Sequence, residues 1–307
     1  MANMKFSIFP NMSHPFSEIK ELALMIERDG WDGLWYADHY MPNAPDDQPL
    51  AGDMLECFSV LAGLAASVPR LRLGSMVAPT TVHHPAVLAN RAATIDNISN
   101  GRFILGIGAG WQVNEHKAYG IDLFEPRDRV TRFGESIEII SRLLSEDRVD
   151  FAGKHFTITN APCEPKPVQK PLPLLVGSGS PRMLKFTARF AQGWNTWGTP
   201  TTTPEVLARL NHACELAGRD PQTIHKTTQA LVYIVNDPAK VDAVRATAPA
   251  KSSLVGTTAQ LTEMIGQYVD LGFDEFLLPD FTLGDTFAER TEAIQQFFGE
   301  VAVHFRD

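Results

Sequence analysis

The chain has 307 residues, of which 44% are hydrophobic and 21% charged, so it can enclose a large core and is unlike a disordered protein. Its formal net charge of −9 and its scattered lysines and arginines argue against nucleic acid as a partner, because phosphate-backbone binding needs clustered cations. Three widely spaced cysteines, Cys57, Cys163 and Cys214, argue against a disulfide framework and a CxxC site. Without an apolar signal region or an 18-residue apolar stretch, we expect a cytoplasmic protein with no membrane partner.

Short apolar runs alternate with helical patterns along the chain, which is typical of repeated β-α units around a parallel sheet. The pattern predicts strands at Lys5–Phe9, Leu34–Ala37, Leu71–Val77, Phe103–Ile107, Leu174–Gly177, Trp194–Thr196, Thr228–Val235 and Glu275–Leu278. It predicts helices at Ser17–Asp29, Cys57–Ser67, Pro85–Asn97, Val130–Leu144, Pro181–Phe190, Pro204–Leu216, Thr258–Leu271 and Thr286–Phe298.

Eight such units can form either an open doubly wound sheet or a closed barrel. A doubly wound sheet usually carries a glycine-rich nucleotide turn after its first strand, whereas Phe9, Pro10 and Asn11 follow it here. We therefore predict an α/β fold of the (β/α)8 TIM-barrel type, with residues 1–307 as one domain.

An insertion interrupts the alternation before the fifth strand, at about residues 150–173. It contains five prolines, which hold a chain extended, and an apolar-polar alternation from His155 to Thr159. Because it precedes the fifth strand, we expect it to cover either the mouth or the side of the barrel.

Asp38 and His39 directly follow the second predicted strand. Active sites of α/β barrels form from the loops at the C-terminal ends of the strands, so polar residues at these positions are candidates. Histidine titrates near neutral pH, and a carboxylate neighbour can tune it. His39 is therefore the candidate catalytic acid or base, with a purely structural histidine as the alternative.

Small residues follow the fifth strand, at Gly177, Ser178, Gly179 and Ser180. They lead into a helix start, where free backbone N–H groups and the helix dipole can bind a phosphate. Arg182, in the first turn of that helix, favours phosphate binding over the alternative of an ordinary β-α turn.

The run Gly106–Gly110 at the fourth strand is not a dinucleotide fingerprint, because its third glycine comes one residue early. It indicates close approach of the backbone to a flat ligand, with Trp111 as a wall and Asn114 as a hydrogen-bonding group. A tight turn beside a buried tryptophan is the alternative. His83 and His84 have no third ligand at a recognisable spacing, so we treat them as loop residues and predict no metal site.

Covalent catalysis finds little support, since the chain has neither a G-x-S-x-G elbow nor a reactive-cysteine motif. Asp38 and Asp280 at predicted strand ends leave a glycosidase open. The separation of their carboxylates, which decides that question, does not follow from the sequence.

Six short motifs are spaced along nearly the whole chain. They are RLGSMV at 72–77, HPAVLA at 84–89, SNGRF at 99–103, GIGAGW at 106–111, APCEPKP at 161–167 and LVGT at 254–257. Their order and spacing resemble those of the luciferase-like monooxygenase superfamily. Within it, the chain resembles most the deazaflavin-dependent oxidoreductases, which use coenzyme F420.

The resemblance implies a barrel with an insertion segment, usually dimeric, and a cis peptide between Met76 and Val77 against the isoalloxazine face. It implies coenzyme F420 as the cofactor, with FMN as the alternative. It also matches His39 to the active-site histidine of the family. Together with the glycine turn, it gives as cofactor contacts Asp38, Ser75, Met76, Val77, Ala109, Gly110, Asn114, Gly177, Ser178, Gly179 and Ser180.

Two positions depart from the sugar-phosphate dehydrogenases of this family. Those enzymes carry a tryptophan four residues after the active-site histidine and a glutamate after the glycine run. Here Asn43 and Trp111 occupy these positions. The departure argues against glucose-6-phosphate as the substrate.

The combined prediction is hydride transfer between a deazaflavin and a small, apolar organic substrate, with His39 managing the proton. Phe9, Met41, Trp111 and Trp197 indicate a hydrophobic substrate cavity, although core packing explains them equally well. The alternatives are an FMN-dependent monooxygenase, in which reduced flavin reacts with oxygen, and a catalytically silent flavin-binding barrel.

Overall fold

Residues 4–306, which the computed structural model describes, alternate between strands and helices. The strands are β1 Lys5–Phe9, β2 Gly33–Tyr36, β3 Arg72–Ser75, β4 Ala78–Pro79, β5 Phe103–Gly108, β6 Val149–Ala152, β7 Thr157–Ala161, β8 Leu174–Gly177, β9 Gly193–Trp197, β10 His225–Gln229, β11 Leu231–Ile234, β12 Ser253–Gly256 and β13 Glu275–Pro279. The helices are α1 Phe16–Asp29, α2 Cys57–Ser67, α3 Pro85–Ser99, α4 Val113–Tyr119, α5 Pro126–Ser145, α6 Pro181–Phe190, α7 Thr203–Leu216, α8 Val241–Thr247, α9 Thr258–Asp270 and α10 Phe287–Glu300. We expect no signal region at the start of the chain. That segment begins with residues 1–3, which lie outside the described residues.

Eight of the strands form a closed parallel barrel. Hydrogen-bonded neighbours follow the order β3, β2, β1, β13, β10, β9, β8 and β5, and β5 pairs with β3 to close the ring. The predicted (β/α)8 class is therefore confirmed. A doubly wound sheet, which keeps two open edges, is excluded.

The apolar periodicity positions the helices against the barrel. In α1 the predicted apolar stripe is buried, and the helix ends at Gly30 in the left-handed conformation with a φ of 94°. Helices α3 and α6 begin at Pro85 and Pro181, where a missing N–H costs nothing. No helix within residues 4–306 combines the length and apolar character that a bilayer span requires.

Two predicted strands are wrong in extent. The third strand, predicted over Leu71–Val77, is interrupted at Met76 and Val77, between β3 and β4. The seventh, predicted over Thr228–Val235, leaves the barrel after Gln229, and β11 pairs with β12 in a separate two-stranded sheet. The apolar and β-branched residues continue across both breaks, so the periodicity does not reveal the change of partner.

The insertion contains a β-hairpin rather than a fully extended segment. Strands β6 and β7 pair antiparallel, and the turn between them is held on α5 by Glu135. Its carboxylate accepts hydrogen bonds from the backbone N–H groups of Lys154, His155 and Phe156, at 2.7, 2.9 and 3.1 Å. The hairpin therefore packs against the side of the barrel.

The N-terminal end of the barrel is closed around Glu275, which is fully buried at the start of β13. Its carboxylate accepts hydrogen bonds from Ser7 Oγ at 2.5 Å and Trp35 Nε1 at 3.0 Å. It also lies 2.9 Å from Arg72 Nη2 and 2.7 Å from His225 Nε2. Burial alone raises the pKa of this carboxyl, but the charge of Arg72 and the hydrogen bond with His225 outweigh burial and hold the pKa well below its usual range.

Candidate active site

A cavity of about 590 Å³ opens at the C-terminal ends of the barrel strands, within the size range of small-molecule sites. This is the end at which the sequence predicts the site. The predicted site residues that line the cavity are Phe9, His39, Met41, Met76, Val77, Gly110, Trp111, Gly177, Ser178, Gly179 and Trp197.

One wall of the cavity is formed by the Met76–Val77 peptide, which is cis, as the resemblance implies. The glycines of β5 make room for this segment. A Cβ atom at Gly106 would stand 1.9 Å from the carbonyl oxygen of Ser75, and one at Gly108 would stand 2.6 Å from Val77 Cγ2. These two glycines thus accommodate the neighbouring strand, and not the flat ligand that the sequence suggested.

His39 is paired with a buried carboxylate. Its Nδ1 lies 3.0 Å from Oε1 of Glu115, on α4, and Glu115 Oε2 accepts a hydrogen bond from the backbone N–H of Tyr40 at 2.9 Å. Glu115 is only 2% exposed. With Nδ1 held in this way, no described residue hydrogen-bonds Nε2 of His39, which leaves this nitrogen available to a ligand in the cavity.

Asp38 pairs with His83 and not with its neighbour in the sequence, His39. Its Oδ2 lies 2.6 Å from Nε2 of His83, and both side chains are buried. Asp38 does not line the cavity, whereas the next residue, His39, does. His83, treated as an ordinary loop residue, is the buried partner of Oδ2. Oδ1 is buried and has no hydrogen-bond partner among the described residues, and the prediction of Asp38 as a cofactor contact stays a prediction.

The turn after β8 brings Gly177, Ser178 and Gly179 to the cavity wall. Helix α6 follows directly, and no side chain caps its N-terminus, so its first-turn N–H groups have no side-chain acceptor. Arg182 does not face this turn. Its guanidinium donates hydrogen bonds to the carbonyl of Arg127 at 3.1 Å and to Thr131 Oγ1 at 3.3 Å.

Four other predicted cofactor contacts lie off the wall: Ser75, Ala109, Asn114 and Ser180. Ser75 Oγ is buried and donates to the carbonyl of Gly106 at 2.8 Å. The Asn114 amide donates to the carbonyls of Pro42 and Gln48, at 2.8 and 3.3 Å. Ser75 and the NH2 group of Asn114 thus hold neighbouring backbone, while Oδ1 of Asn114 is buried without a hydrogen-bond partner among the described residues. Direct contact with a cofactor stays a prediction for all four residues.

The rim of the cavity is aromatic. Trp111 is 57% exposed and meets the His39 ring edge-on at a centroid distance of 5.4 Å, and Phe9 packs on Phe281 at 5.4 Å. Asn43, one of the two departures from the sugar-phosphate dehydrogenases, also lines the cavity. Sequence reasoning missed Glu115, Gln112, Gln229 and Phe281.

The carboxylates considered for a glycosidase are committed elsewhere. Asp280 is buried and accepts hydrogen bonds from the backbone N–H of Asn11 at 2.8 Å and, within 3.1 Å, pairs with His14 Nε2. Neither Asp38 nor Asp280 lines the cavity. This arrangement does not provide the two facing carboxylates that glycoside hydrolysis needs.

The fold and the cavity together define a TIM-barrel protein with a site for a small organic molecule at the C-terminal end of its strands. Residues 4–252 match the family model described as luciferase-like monooxygenase, and the chain belongs to this family. The protein is thus an enzyme of the luciferase-like oxidoreductase and monooxygenase family.

Two kinds of relative are similar in sequence. An F420-dependent glucose-6-phosphate dehydrogenase of Kineococcus radiotolerans is 32% identical over 227 residues, which is 73% of this chain and 66% of that relative. The pyrimidine monooxygenase RutA of Agrobacterium fabrum is 36% identical over 179 residues, which is 55% of this chain and 48% of that relative. In each case the chain covers less than two thirds of the relative's length.

Solved structures share the whole architecture. An F420-dependent secondary alcohol dehydrogenase, solved with an F420-acetone adduct, matches with a TM-score of 0.84 at 19% identity and covers 100% of both chains. At this identity the likeness shows the fold.

Proposed function

We propose that the protein transfers a hydride between coenzyme F420 and a small, largely apolar organic substrate. One observation carries the proposal: a single cavity brings together the Met76–Val77 wall, the His39–Glu115 pair and the Gly177–Gly179 turn. The similarity to F420-dependent relatives supports it as well.

The residues present fit a flat ring with an anionic tail. Met76 and Val77 offer an apolar wall to a ring. At the end of β8, the uncapped start of α6 directly follows Gly177–Gly179, and backbone N–H groups in such a position favour phosphate. We therefore assign ring contact to Met76 and Val77 and tail contact to the turn.

When bound, the deazaflavin supplies the hydride acceptor or donor at its carbon C5. Oxidation of an alcohol to a ketone releases a hydride and a hydroxyl proton, and His39 Nε2 takes up that proton. Glu115 holds the imidazole by its Nδ1 and so aims Nε2 at the cavity. Glu115 is thus a positioning residue, while Trp111 and Phe281 offer apolar surface to the substrate.

Cofactor binding tests the first half of the proposal. Purified protein is titrated with coenzyme F420 and, separately, with FMN, and binding is followed by absorbance and fluorescence. Saturable binding of F420, tighter than that of FMN, is the expected result. Failure to bind either compound would end the proposal.

Turnover tests the second half, with 2-propanol as the first probe because a solved barrel of this fold is a secondary alcohol dehydrogenase. His39→Ala should keep F420 affinity while kcat falls by about 10²-fold or more. His84→Ala, at a histidine outside the cavity wall, is the matched control and should keep wild-type rates. An unchanged kcat in His39→Ala would remove His39 from the chemistry.

The role of Glu115 is tested by the split between kcat and affinity. Glu115→Gln keeps a hydrogen-bond acceptor for Nδ1, so kcat should fall less than in Glu115→Ala, where the imidazole loses its partner. The Kd for F420 should stay the same in both. Equal kcat in the two variants, or a parallel loss of F420 affinity, would contradict a positioning role.

A second candidate function is FMN-dependent monooxygenation, which the similarity to the pyrimidine monooxygenase RutA favours. The same wall and turn would hold FMN, since they contact a ring and a phosphate. Oxygen uptake with reduced FMN separates the two functions. Uptake that depends on the protein, together with weak F420 binding, would favour the monooxygenase over the catalytically silent barrel and the deazaflavin enzyme.

We also propose that residues 1–307 form one domain and that the protein is a cytoplasmic homodimer. These proposals rest on the length of the chain, the single barrel and the resemblance to the family. Light scattering during size-exclusion chromatography measures the oligomeric state, and a monomer of 33.9 kDa would contradict the dimer.

A further inference from the structure

Gln229 is a buried amide without a hydrogen bond at the wall of the cavity. It ends β10, its side chain lines the cavity, and the residue is 2% exposed. Its Oε1 is buried and has no hydrogen-bond partner within residues 4–306. A buried polar group without a partner is costly, and such groups in folded proteins call for an explanation.

The NH2 groups of the two other buried amides on this wall have hydrogen-bond partners within the protein. Gln112 Nε2 donates to the carbonyl of Met41 at 2.8 Å, and Asn195 Nδ2 donates to Thr227 Oγ1 at 2.8 Å. Gln229 differs from both because its side chain has no recorded hydrogen bond to another described residue, and its buried Oε1 lacks a partner. A bound molecule with a hydroxyl or amide group would supply the missing bond.

The position of Gln229 places it across the cavity from the proposed ring site. In the closed ring of eight strands, β10 is four strands from β3 in either direction. Gln229 therefore lies opposite the Met76–Val77 wall. A flat ring on that wall would leave Gln229 on the side where a second molecule enters.

The wall also lacks a counter-charge for an ionised substrate. Within the described part of the chain, none of the lining residues is Lys, Arg, Asp or Glu, and His39 is the one histidine among them. Apart from the Gly177–Gly179 turn, which the proposed function assigns to the phosphate of the cofactor, moving a phosphate or carboxylate into this cavity costs free energy that no fixed cation would offset. Phe9 and Phe281 instead offer apolar surface beside the amide.

From these observations we infer that Gln229 hydrogen-bonds the substrate, and that the substrate is an uncharged, largely apolar molecule carrying a hydroxyl or amide group. The inference rests on the proposed function and narrows it, since the substrate that binds beside Gln229 carries no phosphate. The phosphate of the cofactor lies at the Gly177–Gly179 turn in that proposal. Gln229 is then a specificity-determining residue, opposite the ring and separate from the proton-handling His39–Glu115 pair.

Calorimetric titration of the F420-loaded protein tests the inference with four probes of similar size: benzyl alcohol, benzamide, toluene and benzyl phosphate. Either benzyl alcohol or benzamide should bind about tenfold more tightly than toluene, the scale of one hydrogen bond. Benzyl alcohol and benzamide are tested separately, and the one that binds more tightly shows whether the substrate carries a hydroxyl or an amide group. Benzyl phosphate should bind most weakly.

Gln229→Met keeps the size of the side chain and removes its amide, so the preference over toluene should disappear. Its free energy of unfolding should not fall, because no bond within the protein is lost. Gln112→Met is the matched comparison, and it should be less stable because the bond to Met41 is lost.

Three results would overturn the inference: equal preference in wild type and Gln229→Met, binding of benzyl phosphate at least as tight as that of benzyl alcohol, or equal destabilisation of the two variants. Failure of F420 to bind in the preceding titration would overturn the proposed function and this inference together. The two kinds of failure are thus distinguished.

Discussion

The close packing of Gly106 against β3 leads to a sharp prediction for Gly106→Ala. Ordinary contact begins at 3.4 Å, whereas the added Cβ would stand 1.9 Å from the Ser75 carbonyl oxygen, so that backbone atom must retreat by about 1.5 Å. Ser75 Oγ makes two hydrogen bonds to the backbone of Gly106, at 2.8 and 3.0 Å, and the retreat breaks them. Two hydrogen bonds at about 1 kcal/mol each and about 1–3 kcal/mol of overpacking give a loss of about 3–5 kcal/mol.

Urea unfolding measures this loss, and an F420 titration measures the effect on the cavity, because Met76 directly follows Ser75 in the wall. Gly299→Ala is the matched control. An added Cβ there meets nothing within 4 Å, and alanine in a helix should raise stability by up to about 1 kcal/mol. A loss below about 1 kcal/mol in Gly106→Ala, with unchanged F420 affinity, would refute the reasoning.

Three further substitutions test the fold. Glu275→Gln should lower the free energy of unfolding by about 3 kcal/mol at pH 7. The pKa of Glu275 is depressed in the folded state, so the stability difference between wild type and Glu275→Gln should shrink as the pH falls below about 4.3, where the unfolded carboxyl protonates. A stability difference that stays constant with pH would contradict the depressed pKa. Tyr268→Phe should cost about 1 kcal/mol, measured as a lower Tm, since the hydroxyl donates to the Gly198 carbonyl at 2.5 Å. Arg102→Lys should lower the free energy of unfolding in urea by about 2 kcal/mol, because the guanidinium donates to three backbone carbonyls that an ammonium cannot reach together. An Arg102→Lys variant as stable as wild type would show that these bonds contribute little.

The barrel was predictable because each β-α unit carries its own apolar period. The predicted helices Cys57–Ser67 and Pro181–Phe190 have the observed bounds. After Gln229 the strand leaves the barrel and β11 pairs with β12, but the run of β-branched residues continues. The local sequence pattern therefore does not reveal which strand is the partner. The seven-residue helix α4 is too short to show a period, so the sequence analysis missed it together with Glu115.

The sequence predicted the location of the candidate site better than it predicted which side chains pair there. Strand ends locate the cavity, and His39 lines it as expected. The carboxylate beside His39 in the sequence, Asp38, does not line the cavity and pairs with His83, while Glu115 comes from helix α4. Such partners follow from tertiary packing, and the unpartnered amide of Gln229 is visible only once every neighbour is in place.

A crystal structure of the protein grown with coenzyme F420 tests the central claim most directly. The account predicts the tricyclic ring against Met76 and Val77, the phosphate at Gly177–Gly179, and Nε2 of His39 facing the space above the ring. A ring bound elsewhere on the barrel, or a phosphate far from the start of α6, would contradict it.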